Sequence, residues 1–254
     1  MILDLFKLDG HVALVTGGGT GLGQGMAIAL AEAGADIAVL YRSHFAPTRQ
    51  AVAAMGRRCL GVQLDLAKAT VPQLHGAVQQ VINQLGRLDI LINCAGTAHR
   101  APALEHSEQD WDEILRVNLK AAFFLSQAAA AHFAERGHGK IINVGSLLSI
   151  QGGLLNAAYT SSKSGLLGLT RLLANEWAPL GVNVNCIIPG YMDTPLCAPL
   201  RADPERNRAI LDRIPANRWG TPQDLQGAVV YLASQASDYV HGAALVVDGG
   251  WLAR

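Results

Sequence analysis

Cysteine is scarce in this chain: only four occur among 254 residues. None of Cys59, Cys94, Cys186 and Cys197 forms a C-x-x-C pair or has a histidine at zinc-ligand spacing. A disulfide framework and a structural metal are therefore excluded; the thiols are expected to be reduced, and no metal site is expected. An excess of charge is also missing, since 20 Lys+Arg balance 20 Asp+Glu. Nucleic acid and anionic membranes call for clustered basic residues, so neither is an expected partner. No stretch of about 18 uninterrupted apolar residues is present, which argues against a membrane span. Met1 to Gly10 lack the basic start and apolar core of a signal peptide, which predicts a cytoplasmic location.

What is present is apolar bulk. Half of the residues are hydrophobic and only 16% are charged, and a chain of this length buries roughly three quarters of its surface. Short β-branched and aliphatic runs alternate with longer segments of helical period. That is the pattern of βαβ units, and it predicts an α/β, Rossmann-type doubly wound parallel sheet with helices on both faces. Seven strands are expected, at 11–16, 36–41, 59–64, 88–93, 140–145, 182–188 and 243–247. Helical spacing marks 22–34, 71–84, 108–135, 157–178 and 222–234. No linker or repeat divides the chain, so 1–254 is expected to be a single domain. Residues 192–219 contain four prolines and several arginines. They read as a helical excursion beyond the carboxyl edge of the sheet, where open parallel sheets bind ligands.

Thr16-Gly-Gly-Gly-Thr-Gly-Leu-Gly23 follows the first strand and opens the first helix. Glycines permit close backbone approach, and the helix N-terminus offers free N–H groups to a pyrophosphate. Gly17, Thr20, Gly21, Leu22 and Gly23 are therefore candidate cofactor contacts. No Gly-Lys-Ser/Thr follows, so a Walker A loop is excluded. A carboxylate about 20 residues on would accept from the adenosine ribose. Counting from Gly23 reaches Tyr41 instead, followed by Arg42 and Ser43. A cation and a hydroxyl suit a 2′-phosphate and lean toward NADP, although Arg42 also reads as a solvated surface residue.

Tyr159 and Lys163 are four residues apart at the start of a helical segment, on one face. An adjacent ammonium is expected to lower the phenol pKa from near 10 and make a general acid/base. Thirteen residues before Tyr159, Ser146 ends an apolar strand and can donate to a carbonyl oxygen as charge develops there. Ser149 is its close neighbour.

On these motifs the chain resembles the classical short-chain dehydrogenase/reductase family over essentially its full length. The resemblance implies that Asn118, Ser146, Tyr159 and Lys163 are catalytic. It adds Asp65 and Leu66 on the adenine side, Asn93, Ala95 and Gly96 after the fourth strand, and Pro189, Gly190 and Thr194 near the nicotinamide carboxamide. Cys94 departs from the family, many members of which have a second asparagine there. The resemblance further implies that Lys163 and Tyr159 touch the nicotinamide ribose, that Asn118 holds a water, and that the protein is a homotetramer.

The segments 174–177, 189–192, 210–215, 218–219 and 248–254 are similar to the bacterial branch of that family acting on deoxy keto-sugar acids. That branch is usually linked to NAD, against the lean from Arg42, so NAD(P)(H) is the cofactor expectation. Such a substrate carries a carboxylate, for which His99, Arg100 and Arg201 are candidate cations, each also readable as a solvated group. Gln151, and after it Asn156, sit where sugar hydroxyls would bind, whereas Leu154-Leu155 keep a less polar ketone open. Trp251 and the last strand are expected to pack against a neighbouring subunit. A 3-ketoacyl or polyol reductase, or a non-catalytic dinucleotide sensor, stand as the alternatives.

Overall fold

The computed structural model describes all 254 residues. Seven strands form one parallel sheet in the order β3-β2-β1-β4-β5-β6-β7. They are β1 Val12–Thr16, β2 Asp36–Tyr41, β3 Cys59–Gln63, β4 Ile90–Asn93, β5 Gly139–Val144, β6 Val182–Pro189 and β7 Ala244–Val247. The central strands β1, β4, β5 and β6 are buried along their whole length, as their unbroken apolar runs require when helices cover both faces. Strand order reverses between β1 and β4, and this switch point opens a crevice at the carboxyl ends.

Alternation along the strands divides the core. Ala13 and Val15 face a layer built with α1 (Gly21–Glu32) and α9 (Gln226–Ala233). Val12 and Leu14 face the opposite layer, with α3 (Val71–Leu85), α5 (Ala121–Arg136) and α6 (Ala157–Trp177). A smaller cluster joins Leu147, Ile188, Ile210, Ile214 and Trp251 beneath the carboxyl edge of β6.

Three differences from the sequence reading matter. The segment after β2 holds a helix that periodicity does not reveal, α2 (Ala46–Ala54), in which only Thr48 and Val52 are buried. The segment expected as one helix at 108–135 is α4 (Glu108–Leu115), a π turn at Arg116–Lys120, and α5. Trp251, expected at a subunit interface, is only 5% exposed within its own chain. It packs at 4.7 Å against the ring of Tyr191, so its apolar surface is already covered. The excursion contains α7 (Ala198–Ala202) and α8 (Pro204–Leu211). No helix is long and apolar enough to cross a membrane.

Candidate active site

The glycine loop turns between β1 and α1 with φ of +66° at Gly17 and +55° at Gly21. A Cβ at Gly19 would stand 1.9 Å from the carbonyl oxygen of His44, and one at Gly23 2.3 Å from that of Gly17. Backbone therefore packs on backbone, and no side chain fits there. Thr20, the N-cap residue of α1, makes no side-chain cap bond. The first amides of the helix thus remain available to an anion. Buried Thr48 donates to Gly18 O at 2.9 Å and accepts from Gln24 Nε2 at 3.1 Å. This buttress from the unexpected α2 holds the loop in place.

A cleft of about 460 Å³ runs from this loop along the carboxyl edge. Its walls include Gly17, Thr20, Gly21, Leu22 and Gly23, then Arg42, Ser43, Asp65 and Leu66 at one end. Ala95, Gly96, Ser146, Tyr159, Lys163, Pro189, Gly190 and Thr194 line the other. His44, which sequence reasoning missed, lies beside Arg42 and Ser43. The loop, the free helix end and an elongated cleft fit a dinucleotide. Arg42 is exposed and forms no ion pair, so its charge is available at that end of the cleft.

Asn93 is a correction. Its side chain turns into the protein, where Nδ2 donates to Ser126 Oγ and Asn143 Oδ1, both at 2.9 Å. Asn143 in turn donates to Thr170 Oγ1 at 2.9 Å. The amide ties β4 to β5 and α5, with Asn143 carrying the link on to α6, and does not line the cleft. Thr16, not singled out from sequence, orients the next turn by accepting from the N–H groups of Cys94 and Ala95, each at 3.0 Å.

Four side chains meet at the far end of the cleft. The π turn presents buried Asn118, which accepts from Thr97 N at 2.8 Å and donates to Thr97 O at 2.9 Å and Ser162 Oγ at 3.1 Å. Lys163 Nζ donates to Val144 O at 2.7 Å and stands 5.8 Å from the Tyr159 ring centroid. A Cβ at Gly96 would lie 3.5 Å from both Asn118 Oδ1 and Lys163 Nζ, so these groups converge behind the cleft wall. Ser146 follows β5 and its Oγ accepts from Leu148 N at 3.2 Å. Ser149 is spent elsewhere: it accepts from Ser146 N and donates to Lys163 O.

The Tyr159–Lys163 spacing is as expected, but the electrostatics are not. Burial pushes the Tyr159 phenol up to about 12, opposed by the hydroxyl of Ser146 and the charge of Arg100. Burial also pushes Lys163 below the usual ammonium range. Desolvation dominates both shifts, and the Lys163 ammonium is already bound to the Val144 carbonyl rather than to the phenol.

On the substrate side the structure separates the candidate cations. Arg201 is ion-paired with Asp193. His99 points toward Asp110, its Nε2 3.6 Å from Oδ2, and is half exposed, away from the cleft. Neither is free for a substrate carboxylate. Arg100 makes no ion pair, and its charge acts on both Tyr159 and Tyr191. Gln151 Oε1 accepts from Trp251 Nε1 at 3.2 Å and does not line the cleft. Asn156 is turned back onto Leu154 O, and Leu154 and Leu155 are exposed on the rim.

Comparison with known proteins agrees with this geometry. Residues 17–252 match the family model described as enoyl-(acyl carrier protein) reductase. The chain is 53% identical, over the whole of both proteins, to 2-dehydro-3-deoxy-D-gluconate 5-dehydrogenase of Escherichia coli (strain K12). A crystal structure of an Agrobacterium tumefaciens protein with bound NADP is 49% identical, with a TM-score of 0.92 over 99% of this chain and 100% of that one. A gluconate 5-dehydrogenase from Burkholderia cenocepacia J2315, in complex with NADP and tartrate, is 38% identical with a TM-score of 0.95 over the full length of both chains. The chain belongs to the short-chain dehydrogenase/reductase family of NAD(P)-dependent oxidoreductases acting on CH–OH groups.

Proposed function

We propose that this enzyme interconverts the C5 hydroxyl and C5 ketone of a 3-deoxy keto-sugar acid, the reaction named for its Escherichia coli relative, with NADP(H) as the preferred cofactor. The observation that carries the reading is the convergence of Ser146, Tyr159 and Lys163 at one end of a dinucleotide-shaped cleft, with Asn118 behind its wall, in a chain 53% identical throughout to that relative. A ketoacyl or polyol reductase and a cofactor sensor are less well supported by the same facts.

In this mechanism Tyr159 gives its proton to the substrate oxygen during reduction and takes it back during oxidation. Ser146 donates to the same oxygen as charge builds on it. Lys163, held by Val144 O, hydrogen-bonds the nicotinamide ribose and favours the phenolate. Asn118 fixes the backbone of Thr97 and, with it, the space in which a water can link Lys163 to solvent. When bound, the cofactor supplies the hydride and, in its oxidised form, a positive ring beside the phenol. Thr20, Gly21 and the α1 amides hold the pyrophosphate, Asp65 and Leu66 the adenine, and Pro189, Gly190 and Thr194 the carboxamide side. Arg42 and Ser43 hold the 2′-phosphate; support comes from the absence of a carboxylate at the end of β2 and from the NADP bound by two relatives. Arg100 faces the reacting end of the substrate.

We further infer that residues 1–254 act as one domain, in the cytoplasm, as a homotetramer. Four free cysteines suit a reducing compartment. An apolar groove of about 740 Å³, lined by Leu115, Leu119, Phe123, Leu169 and Leu172, offers a surface for a second copy, and light scattering at four chain masses would bear this out.

The test is initial-rate kinetics with NADPH and NADH against 5-keto sugar acids, acetoacetyl thioesters and simple ketones. A preference for the acids of at least about 100-fold in kcat/KM is expected, with NADPH ahead of NADH. Comparable rates on all ketones would overturn the sugar-acid reading.

A further inference from the structure

The excursion carries five arginines, and three of them are neutralised within the protein. Arg201 pairs with Asp193, Arg208 lies 3.9 Å from Asp212, and Arg218 forks onto Asp224 at 2.6 and 2.7 Å. Arg206 and Arg213 have no carboxylate partner. Of these two, Arg213 is the one the structure orients. Its guanidinium carbon lies 4.0 Å over the ring of Trp251, and its Nη2 stands 3.4 Å from Gln151 Oε1, the oxygen that also accepts from Trp251 Nε1. Both contacts are with uncharged groups, so the positive charge is held in place without being cancelled. Stacking occupies the flat face of the guanidinium and leaves its in-plane N–H groups for an acceptor.

This cluster adjoins the cleft without lining it, and its members are tied to the catalytic end through the chain. Gln151 lies on the short segment that runs from Ser146 toward Tyr159. Trp251 packs on Tyr191, which immediately follows Gly190 of the cleft and also meets Trp219 edge-on at 5.6 Å. The Tyr191 hydroxyl makes no hydrogen bond within the protein, and the residue is partly exposed. Arg206, Arg213 and Arg100 all bring positive charge to bear on Tyr191, and Arg100 acts on Tyr159 as well.

We propose that Arg213, laid on Trp251 and turned by Gln151, is the specificity-determining residue that binds the substrate's carboxylate, with the Tyr191 hydroxyl as a second donor. The proposal rests on the sugar-acid reading above and names the group that enforces it. A charged, preoriented fork gains a charge-assisted hydrogen bond without first having to be ordered.

The experiment compares kcat/KM for a 5-keto sugar acid and its methyl ester, with NADPH, in the wild type, R213Q, R213K and R201Q. Loss of a hydrogen bond to a charged group is expected to lower the acid-to-ester ratio by about 10- to 100-fold in R213Q. R213K, which keeps the charge without the flat fork, is expected between the two, and R201Q is expected to match the wild type. A ratio in R213Q within threefold of a wild type that itself discriminates would overturn the proposal and leave the sugar-acid reading standing. A wild type that treats acid and ester alike would remove both. Should R213Q fail to fold, Gln151→Leu tests the same fork by freeing it; a several-fold fall in the ratio is expected, and an unchanged ratio counts against the assignment.

Discussion

Tyr159→Phe removes a single oxygen and keeps the ring that packs beside Lys163, so the fold and the anchoring of Lys163 to Val144 O should persist. The chemical consequence is large, because a positioned general acid contributes roughly 10²- to 10⁴-fold. We expect kcat for ketone reduction to fall by about 10³-fold while NADPH affinity, read by fluorescence, stays within twofold. The same variant isolates the phenol spectroscopically. Burial holds Tyr159 up at about 12, against an ordinary 10, which makes ionisation in the unliganded protein harder by roughly 3 kcal/mol. The difference in tyrosinate absorbance between wild type and variant should therefore reach less than about a tenth of one tyrosine at pH 11. The sign for folding follows: the native state keeps this proton longer than the unfolded chain, so the stability it contributes is intact below pH 10 and is lost as pH rises from 10 toward 12. Half a tyrosine ionised by pH 9.5 would refute the dominance of desolvation over the opposing Ser146 and Arg100 contributions.

Gly19→Ala places a methyl group 1.9 Å from the carbonyl oxygen of His44 and must displace the segment carrying Arg42 and Ser43. The NADPH dissociation constant should rise by at least about tenfold, and an unchanged value would mean that the loop yields without cost. Arg42→Leu should lower kcat/KM for NADPH by roughly 10- to 100-fold and alter that for NADH less than threefold; equal losses with both would remove the 2′-phosphate role. Asn93→Ala strips donors from Ser126 and Asn143 in the core, so a loss of about 2–4 kcal/mol and a Tm lower by roughly 5–15 °C are expected. Its KM for NADPH should change little, whereas a selective rise in KM at unchanged Tm would restore Asn93 as a cofactor ligand.

The strands were legible because burial on both faces demands the continuous apolar runs that β1, β4, β5 and β6 display. Where periodicity carries no information, reading failed. Helix α2 buries only Thr48 and Val52, too little for an apolar stripe, although Thr48 supports the glycine loop. The π turn within 108–135 is silent for the opposite reason, since apolar residues continue on either side of it. Motif residues on strand ends and helix starts arrived where spacing placed them; Asn93 did not, because its backbone position and the direction of its amide are separate matters. Long cationic side chains were the least legible. Whether Arg201 or Arg213 carries a usable charge depends on Asp193, Gln151 and Trp251, which are distant from one or both of them in the chain.

The five residues Arg116–Lys120 wind one position too loosely for an ordinary spiral, and the surplus acts as a built-in phase slip between two otherwise regular rods. Excising one residue there would let the rods fuse into one continuous helix and redirect the side chains of the turn itself. The amide of Asn118 would then leave Thr97 and Ser162, so single-residue deletions in this stretch should be tolerated by the scaffold far better than by turnover.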